Sequence, residues 1–313
     1  MTHRISLPAL LGSHPLAALA SFGLLRAAEK WEPPIKLGFT MEDDWVAFLE
    51  TERSCSLEEI IVNLEHWIKS DAFARVLGWA PDVRVNPATY RKILGAALAH
   101  EDDVLTRFLG AFAADGAVDR QKGLIKPSAF YMVSGQQSFL GGLREILGEV
   151  SADAPGIFRE AILGPWVYQT ELHSLGWDPN TERLHALRSR APTSEKPSCV
   201  AGAVLLALWA LPLFPAVSGQ GRAYTTGFTR KFGAQYFSWP VFTTPIDILE
   251  LTSVLQVGEE GWSAKGSHRP GINAIFRARR SEFGQGYAVF RNAELVSRSA
   301  DPAIGRNGHT AKR

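Results

Sequence analysis

Five basic side chains crowd the C-terminal part of the chain: Lys265, Arg269, Arg277, Arg279 and Arg280. Residues 275–280 alternate, so a strand there puts Arg277 and Arg279 on one face and Phe276 and Ala278 on the other. Arg230 and Lys231 add a second basic point beside Phe228, Phe232, Tyr236 and Trp239. Guanidinium groups take phosphate oxygens in pairs, and nearby rings stack on unpaired bases. This pattern suits binding to nucleic acid. A solvated basic strand is the plain alternative.

A different chemistry is offered by SGQQSFLGGLRE, residues 134–145. It sets Gln136 and Gln137 just ahead of Ser138, which can cap a helix carrying Phe139, Leu143, Ile146 and Leu147. Free N–H groups at a helix start favour a phosphate, and a glutamine amide can pair with adenine. The alternative is a helix cap whose amides face solvent.

His100, Glu101, Asp102 and Asp103 have the composition of a metal site. Four consecutive residues point in different directions at a helix end, so a charged cap is the favoured reading. Gly219, Gly221 and Gly227 fit neither phosphate-binding fingerprint and read as a surface turn. No G-x-S-x-G elbow and no Cys–His signature is present. His14, His66, His173 and His185 are dispersed and read as structural or surface residues. The expectation is a protein without catalytic residues, metal ligands or cofactors.

These side chains need elements to position them. Residues 10–30 read as a loop and a deeply buried helix, with Ser13 as its cap and Pro15 in its first turn. Residues 35–40 alternate as a strand, with a hairpin partner at 45–49 and Glu42, Asp43 and Asp44 in the turn. Ser56 and Glu59 form a capping box ahead of an apolar helix. Asn86 and Pro87 start a helix that runs toward Phe112, and residues 138–150 and 156–163 form two more. Strands are expected at 183–188, within 224–243, at 272–280 and at 286–291. Val200 to Leu211 is an apolar helix, and Thr244 with Pro245 caps a short helix ending near Leu255. The fold class is α+β. A mainly helical part spans 1–175, an α+β part with basic strands spans 176–296, and 297–313 is a flexible tail.

Composition narrows the class further. The chain has 313 residues, enough for one large domain or two ordinary ones. A net charge of +1 hides an asymmetry. Residues 29–71 hold eleven acidic and four basic side chains, whereas 222–313 hold thirteen basic and seven acidic ones. A basic end on a neutral protein suits an acidic partner on one side, or reflects ordinary scatter. Cys55 and Cys199 make no C-x-x-C and no disulfide framework, which suits a reducing cytoplasm. Residues 199–217 carry no charge, but Pro212 and Pro215 cut the run to a core shorter than the roughly 20 residues of a membrane span. The apolar run up to Leu25 is interrupted by Pro8, Gly12 and Pro15 and has no clean cleavage site, so it reads as core.

Four stretches in order resemble one family. They are LLGSHPLAALASFGLLRAA (10–28), SGQQSFLGGLRE (134–145), LGWDPNTERLHALRSRAP (175–192) and AGAVLLALWALPLFP (201–215). Together they look like the large-subunit proteins of type I CRISPR–Cas effector complexes, in the subtype I-U or I-G branch. Gly12, Pro15, Leu16, Leu19, Ala20, Gly23, Leu24, Leu25 and Arg26 match that family's opening. Trp177, Asp178, Pro179, Arg183, Ala186, Leu187 and Arg188 match its tryptophan-Asp-Pro stretch. Some relatives carry an Asn-Arg pair where this chain has Val204 and Leu205.

The resemblance implies a non-enzymatic subunit of an RNA-guided surveillance complex (Cascade), acting in antiviral defence. Its partners would be the backbone and guide-end subunits, guide RNA, double-stranded target DNA and the helicase-nuclease, with no membrane. It would contact the motif that flanks the target and help open the duplex. The DNA-binding residues would be Gln136, Gln137, Arg230, Lys231, Lys265, Arg269, Arg277, Arg279 and Arg280. The alternatives are a metal-dependent nuclease or guide-RNA processing subunit, and a purely structural assembly subunit.

Overall fold

The computed structural model describes residues 2–133, 137–181, 197–263, 271–283 and 287–298. The first element is a strand, β1 (His3–Leu11), which was not expected and which takes in the first two residues of the loop expected from residue 10. Pro8 hides this strand from its sequence pattern. The register with the neighbouring strand slips between Leu7 and Leu11, at the place where proline has no N–H to offer. β1 pairs with β3 (Trp45–Thr51), which pairs with β2 (Ile35–Met41), giving an antiparallel order β1-β3-β2. The expected β2–β3 hairpin is present.

Helix α1 (Pro15–Ala27) is buried nearly all round. Its cap is His14, whose Nδ1 accepts from Ala17 N at 3.3 Å, while Ser13 Oγ instead donates to Asp44 Oδ2. The uncharged run forms α8 (Ala201–Ala210), likewise buried on every side. The two helices cross in backbone contact: a Cβ on Gly23 would fall 1.7 Å from the Leu206 carbonyl oxygen. Only glycine fits there. Arg26 ends this crossing by donating to Trp209 O at 3.0 Å, and burial lowers its guanidinium to about 10.

Further helices wrap this pair. They are α2 (Leu57–Ile68), α3 (Asp71–Gly78), α4 (Pro87–Ala99), α5 (Asp103–Phe112), α6 (Phe139–Ala152) and α7 (Ala154–Leu163). The Ser56–Glu59 capping box forms as expected. The helix expected to run on from Asn86 breaks after Ala99, because Glu101 adopts φ +52° and Asp102 caps a new helix. An unforeseen hairpin, β4 (Ala113–Asp119) with β5 (Leu124–Pro127), separates α5 from α6.

The C-terminal half carries a small hairpin and a larger sheet. β6 (Ala216–Gly219) pairs with β7 (Arg222–Thr225) around a turn at Gln220 and Gly221, the surface turn expected there. β8 (Phe228–Lys231), β9 (Ala234–Phe242), β10 (Ile272–Phe283) and β11 (Tyr287–Phe290) form the sheet in the order β11-β10-β9-β8. β12 (Glu294–Arg298) follows β11 along the same edge of β10. The expected tail therefore starts too early: Ser297 pairs with Ile275, and Arg298 with Ala274.

Phe237, Trp239, Phe276, Ala278 and Phe290 bury the inner face of the sheet. Helix α9 (Ile248–Trp262) packs on β9 and β10. Its cap is Asp247, in a capping box with Glu250, rather than Thr244 and Pro245. It also runs past Leu255, through a kink at Gly258, where φ is +73°.

The chain is thus α+β, and among the described residues every sheet is antiparallel. Among the described residues, no helix is long and apolar enough to cross a membrane. The strand expected at 183–188 lies outside the described residues, as do Gln136, Lys265 and Arg269.

Candidate nucleic-acid interface

The β8–β9 hairpin closes on the pair Lys231–Ala234, leaving Phe232 and Gly233 as a two-residue loop. Their φ values are +50° and +78°, both positive, as the hairpin turn that matches strand twist requires. Strand β10 runs past its last pairing with β9, at Arg280–Gln235, and pairs onward with β11 as far as Phe283. A cleft of about 500 Å³ opens where these ends meet. Its walls are Arg230 and residues 233–235 from the hairpin, residues 279–283 from β10, and Arg291. Among the described residues, four arginines and one carboxylate, Glu282, thus line one concavity.

The four arginines are held differently. Arg280 is anchored to the scaffold: Nε donates to Ala129 O at 3.0 Å, Nη2 to Tyr131 O at 3.3 Å, and Nη1 pairs with Glu282. Burial is the largest influence on its guanidinium and lowers it below the ordinary arginine value. Glu282 opposes that shift, and the nearby charge of Arg230 adds to it. Arg291 donates from Nε to Ser281 Oγ at 3.1 Å and lies 5.3 Å from the centre of the Phe283 ring. Arg230 and Arg279 are exposed, and among the described residues their side chains have no hydrogen-bond or ion-pair partner.

The alternation of β10 puts Arg277 and Arg279 on one face, as expected, but their fates diverge. Arg277 donates to Glu294 Oε1 at 2.9 Å, lies 3.4 Å from Glu259, and stacks on Tyr236 at 4.8 Å. Lys231 is similarly engaged, donating to Glu259 Oε1 at 2.6 Å. Both cations sit on a buried carboxylate rather than facing outward. Burial alone would raise the Glu259 carboxyl, but Lys231, Ser238 and Arg277 outweigh it and hold it below its ordinary value.

Of the four aromatic residues beside the second basic point, three are committed to packing. Trp239 is fully buried and donates Nε1–H to Gly12 O at 2.7 Å. Phe228 joins Phe130, Phe237 and Phe290, and Tyr236 supports Arg277. Phe232 alone of these four is fully exposed.

Gln137 lies away from this cleft. Its amide is 2.8 Å from His173 Nε2, beside a separate pocket of about 390 Å³. Ser138 caps α6 as expected, its Oγ accepting from Gly141 N at 2.9 Å. The anion at this helix start is the protein's own: Asp82 Oδ1 accepts from Phe139 N at 3.0 Å and Leu140 N at 3.2 Å. These N–H groups are therefore not available to a phosphate. The expectation of open donors there is corrected by a carboxylate far away in sequence.

The His100–Asp103 cluster is a helix boundary. Asp102 Oδ1 accepts from Leu105 N at 3.1 Å, and its other oxygen lies 3.3 Å from Arg75 Nε. Among the described residues, no three His, Cys, Asp or Glu side chains converge as a metal site.

One cluster has no local sequence signal. His14 Nδ1 accepts the α1 capping bond, which places the ring proton on Nε2. That atom lies 3.4 Å from Asp178 Oδ1, a fully buried carboxylate. Asn180 bonds the Tyr168 hydroxyl at 2.8 Å, and Glu160 accepts from the backbone of both Val167 and Tyr168 at 2.9 Å. Two of the four resembling stretches thus meet in space, at His14 and Asp178. Their wide sequence separation is why neither residue drew notice as a pair.

No protein-family profile matches the chain, and a search of curated proteins finds no match either.

Proposed function

We propose that this chain is a non-catalytic subunit of an RNA-guided type I CRISPR–Cas surveillance complex. It contacts target DNA near the flanking motif, helps open the duplex, and contributes to recruiting the helicase-nuclease. The supports are the four-stretch resemblance and the basic cleft at the end of the C-terminal sheet. The observation that carries the reading is the exposure of Arg230 and Arg279 at that cleft, next to two anchored arginines. In such complexes guide pairing supplies most of the sequence information, so the protein need only hold phosphates and read a short flank. DNA contact then falls to the part after residue 176, which bears the basic strands. The helical part before it is left to neighbouring subunits, in the cytoplasm, where the two free cysteines would stay reduced.

The test is binding of the assembled complex to flanked duplex DNA across a salt series. Replacing Arg230 and Arg279 together by alanine weakens binding and lowers the salt slope by about 0.9 for each phosphate no longer neutralised. Unchanged affinity and slope would remove the cleft from the interface. Failure to co-purify with backbone subunits and a short guide RNA would remove the complex itself.

A further inference from the structure

Phe232 gains nothing from its place in the fold. It sits at a hairpin tip, fully exposed, with φ +50°. Turns of this kind favour asparagine or glycine there, because an ordinary side chain crowds the backbone at positive φ. A ring at this position adds strain without burial, and such strain points toward function when no packing repays it.

Its surroundings narrow the function. Gly233, the next residue, lines the basic cleft, and Arg230 on the same hairpin and Arg279 on β10 are exposed there. Across the cleft, Arg291 covers the Phe283 ring. A docking site for a protein partner would surround the ring with apolar surface. Here Phe232 follows Arg230 and Lys231 in the chain, and Arg230 and Gly233 line a polar concavity. Rings beside guanidinium groups suit a strand of unpaired nucleotides, whose phosphates meet cations and whose bases meet rings. A paired duplex offers no open base face to such a ring.

We infer that the hairpin tip binds single-stranded nucleic acid, with Phe232 stacked on an unpaired base while Arg230 and Arg279, on opposite faces of the sheet at the cleft, hold phosphates on either side of the strand. This rests on the DNA-contacting reading above and adds the ligand class at the cleft: an opened strand rather than the duplex.

The probe is a short single-stranded oligonucleotide carrying 2-aminopurine, with a fully paired duplex as control, titrated with the full chain. Phe232→Asn places the preferred residue in the turn, so the fold keeps or gains thermal stability. Single-strand affinity falls about tenfold, the loss of one stacked base. The salt slope and duplex affinity hold, and quenching of the 2-aminopurine disappears. Phe232→Trp restores affinity and quenching. If Phe232→Asn binds the single strand as tightly as the native chain, with quenching intact, the stacking role is overturned. Should the Arg230→Ala, Arg279→Ala variant still weaken binding in that experiment, the DNA-contacting reading survives alone. If neither variant changes binding, both fall.

Discussion

Replacing Glu259 by glutamine tests the electrostatic logic that holds the basic hairpin in place. Glu259 is 6% exposed on α9, accepts from Lys231 at 2.6 Å and from Ser238, and lies 3.4 Å from Arg277. The glutamine keeps the shape and one acceptor but removes the charge. A hydrogen bond to a charged group contributes roughly 1.5–3 kcal/mol, and Lys231 is partly screened by solvent, so the net loss is about 2–3 kcal/mol. At this chain length that lowers the melting temperature by about 5 °C. The sign of the pH dependence follows from the carboxyl lying below its ordinary value of 4.5 in the fold. Its stabilisation is complete above that value and disappears as pH falls through the lower folded value. Thermal unfolding of the native chain and of Glu259→Gln should therefore differ at pH 7 and converge in acid. A loss under about 0.5 kcal/mol, within the range of ordinary surface substitutions, would refute the argument. So would an equal loss at pH 7 and in strong acid.

The other expectations follow from single contacts. Gly23→Ala drives a methyl into the Leu206 carbonyl and should cost about 3 kcal/mol or more, read from the urea midpoint or from failure to fold. Arg279→Ala should leave the urea midpoint within about 0.5 kcal/mol of native, whereas Arg280→Ala strips partners from two carbonyls and should cost about 2 kcal/mol. Asp102→Ala should cost about 1 kcal/mol through the missing cap, and added Mn²⁺ should not alter the difference. Burial pushes the Cys199 thiol up to about 12, so iodoacetamide at pH 8 should label Cys55 first and reach Cys199 only on unfolding, as read by mass spectrometry.

What the sequence determined by itself was local. Ser56 with Glu59, Asn86 with Pro87, and Ser138 marked helix starts, because a cap bond spans only two or three residues. Alternation on 275–280 put Arg277 and Arg279 on one face, because strand geometry has a period of two. The uncharged run declared α8, since burial on all sides leaves no polar position.

Tertiary structure decided which of these side chains can meet a ligand. Arg277 and Arg279 share a face, yet Glu294 and Glu259, from β12 and α9, engage only the first. Asp82 fills the α6 start that local reasoning left open. Arg280 turns inward to carbonyls of Ala129 and Tyr131. His14 reaches Asp178 because α1 begins beside a loop far from it in sequence. In each case the deciding partner is distant in sequence and close in space. Periodicity and capping act over a few residues, whereas the availability of a charge depends on whatever opposite charge the fold brings within about 4 Å.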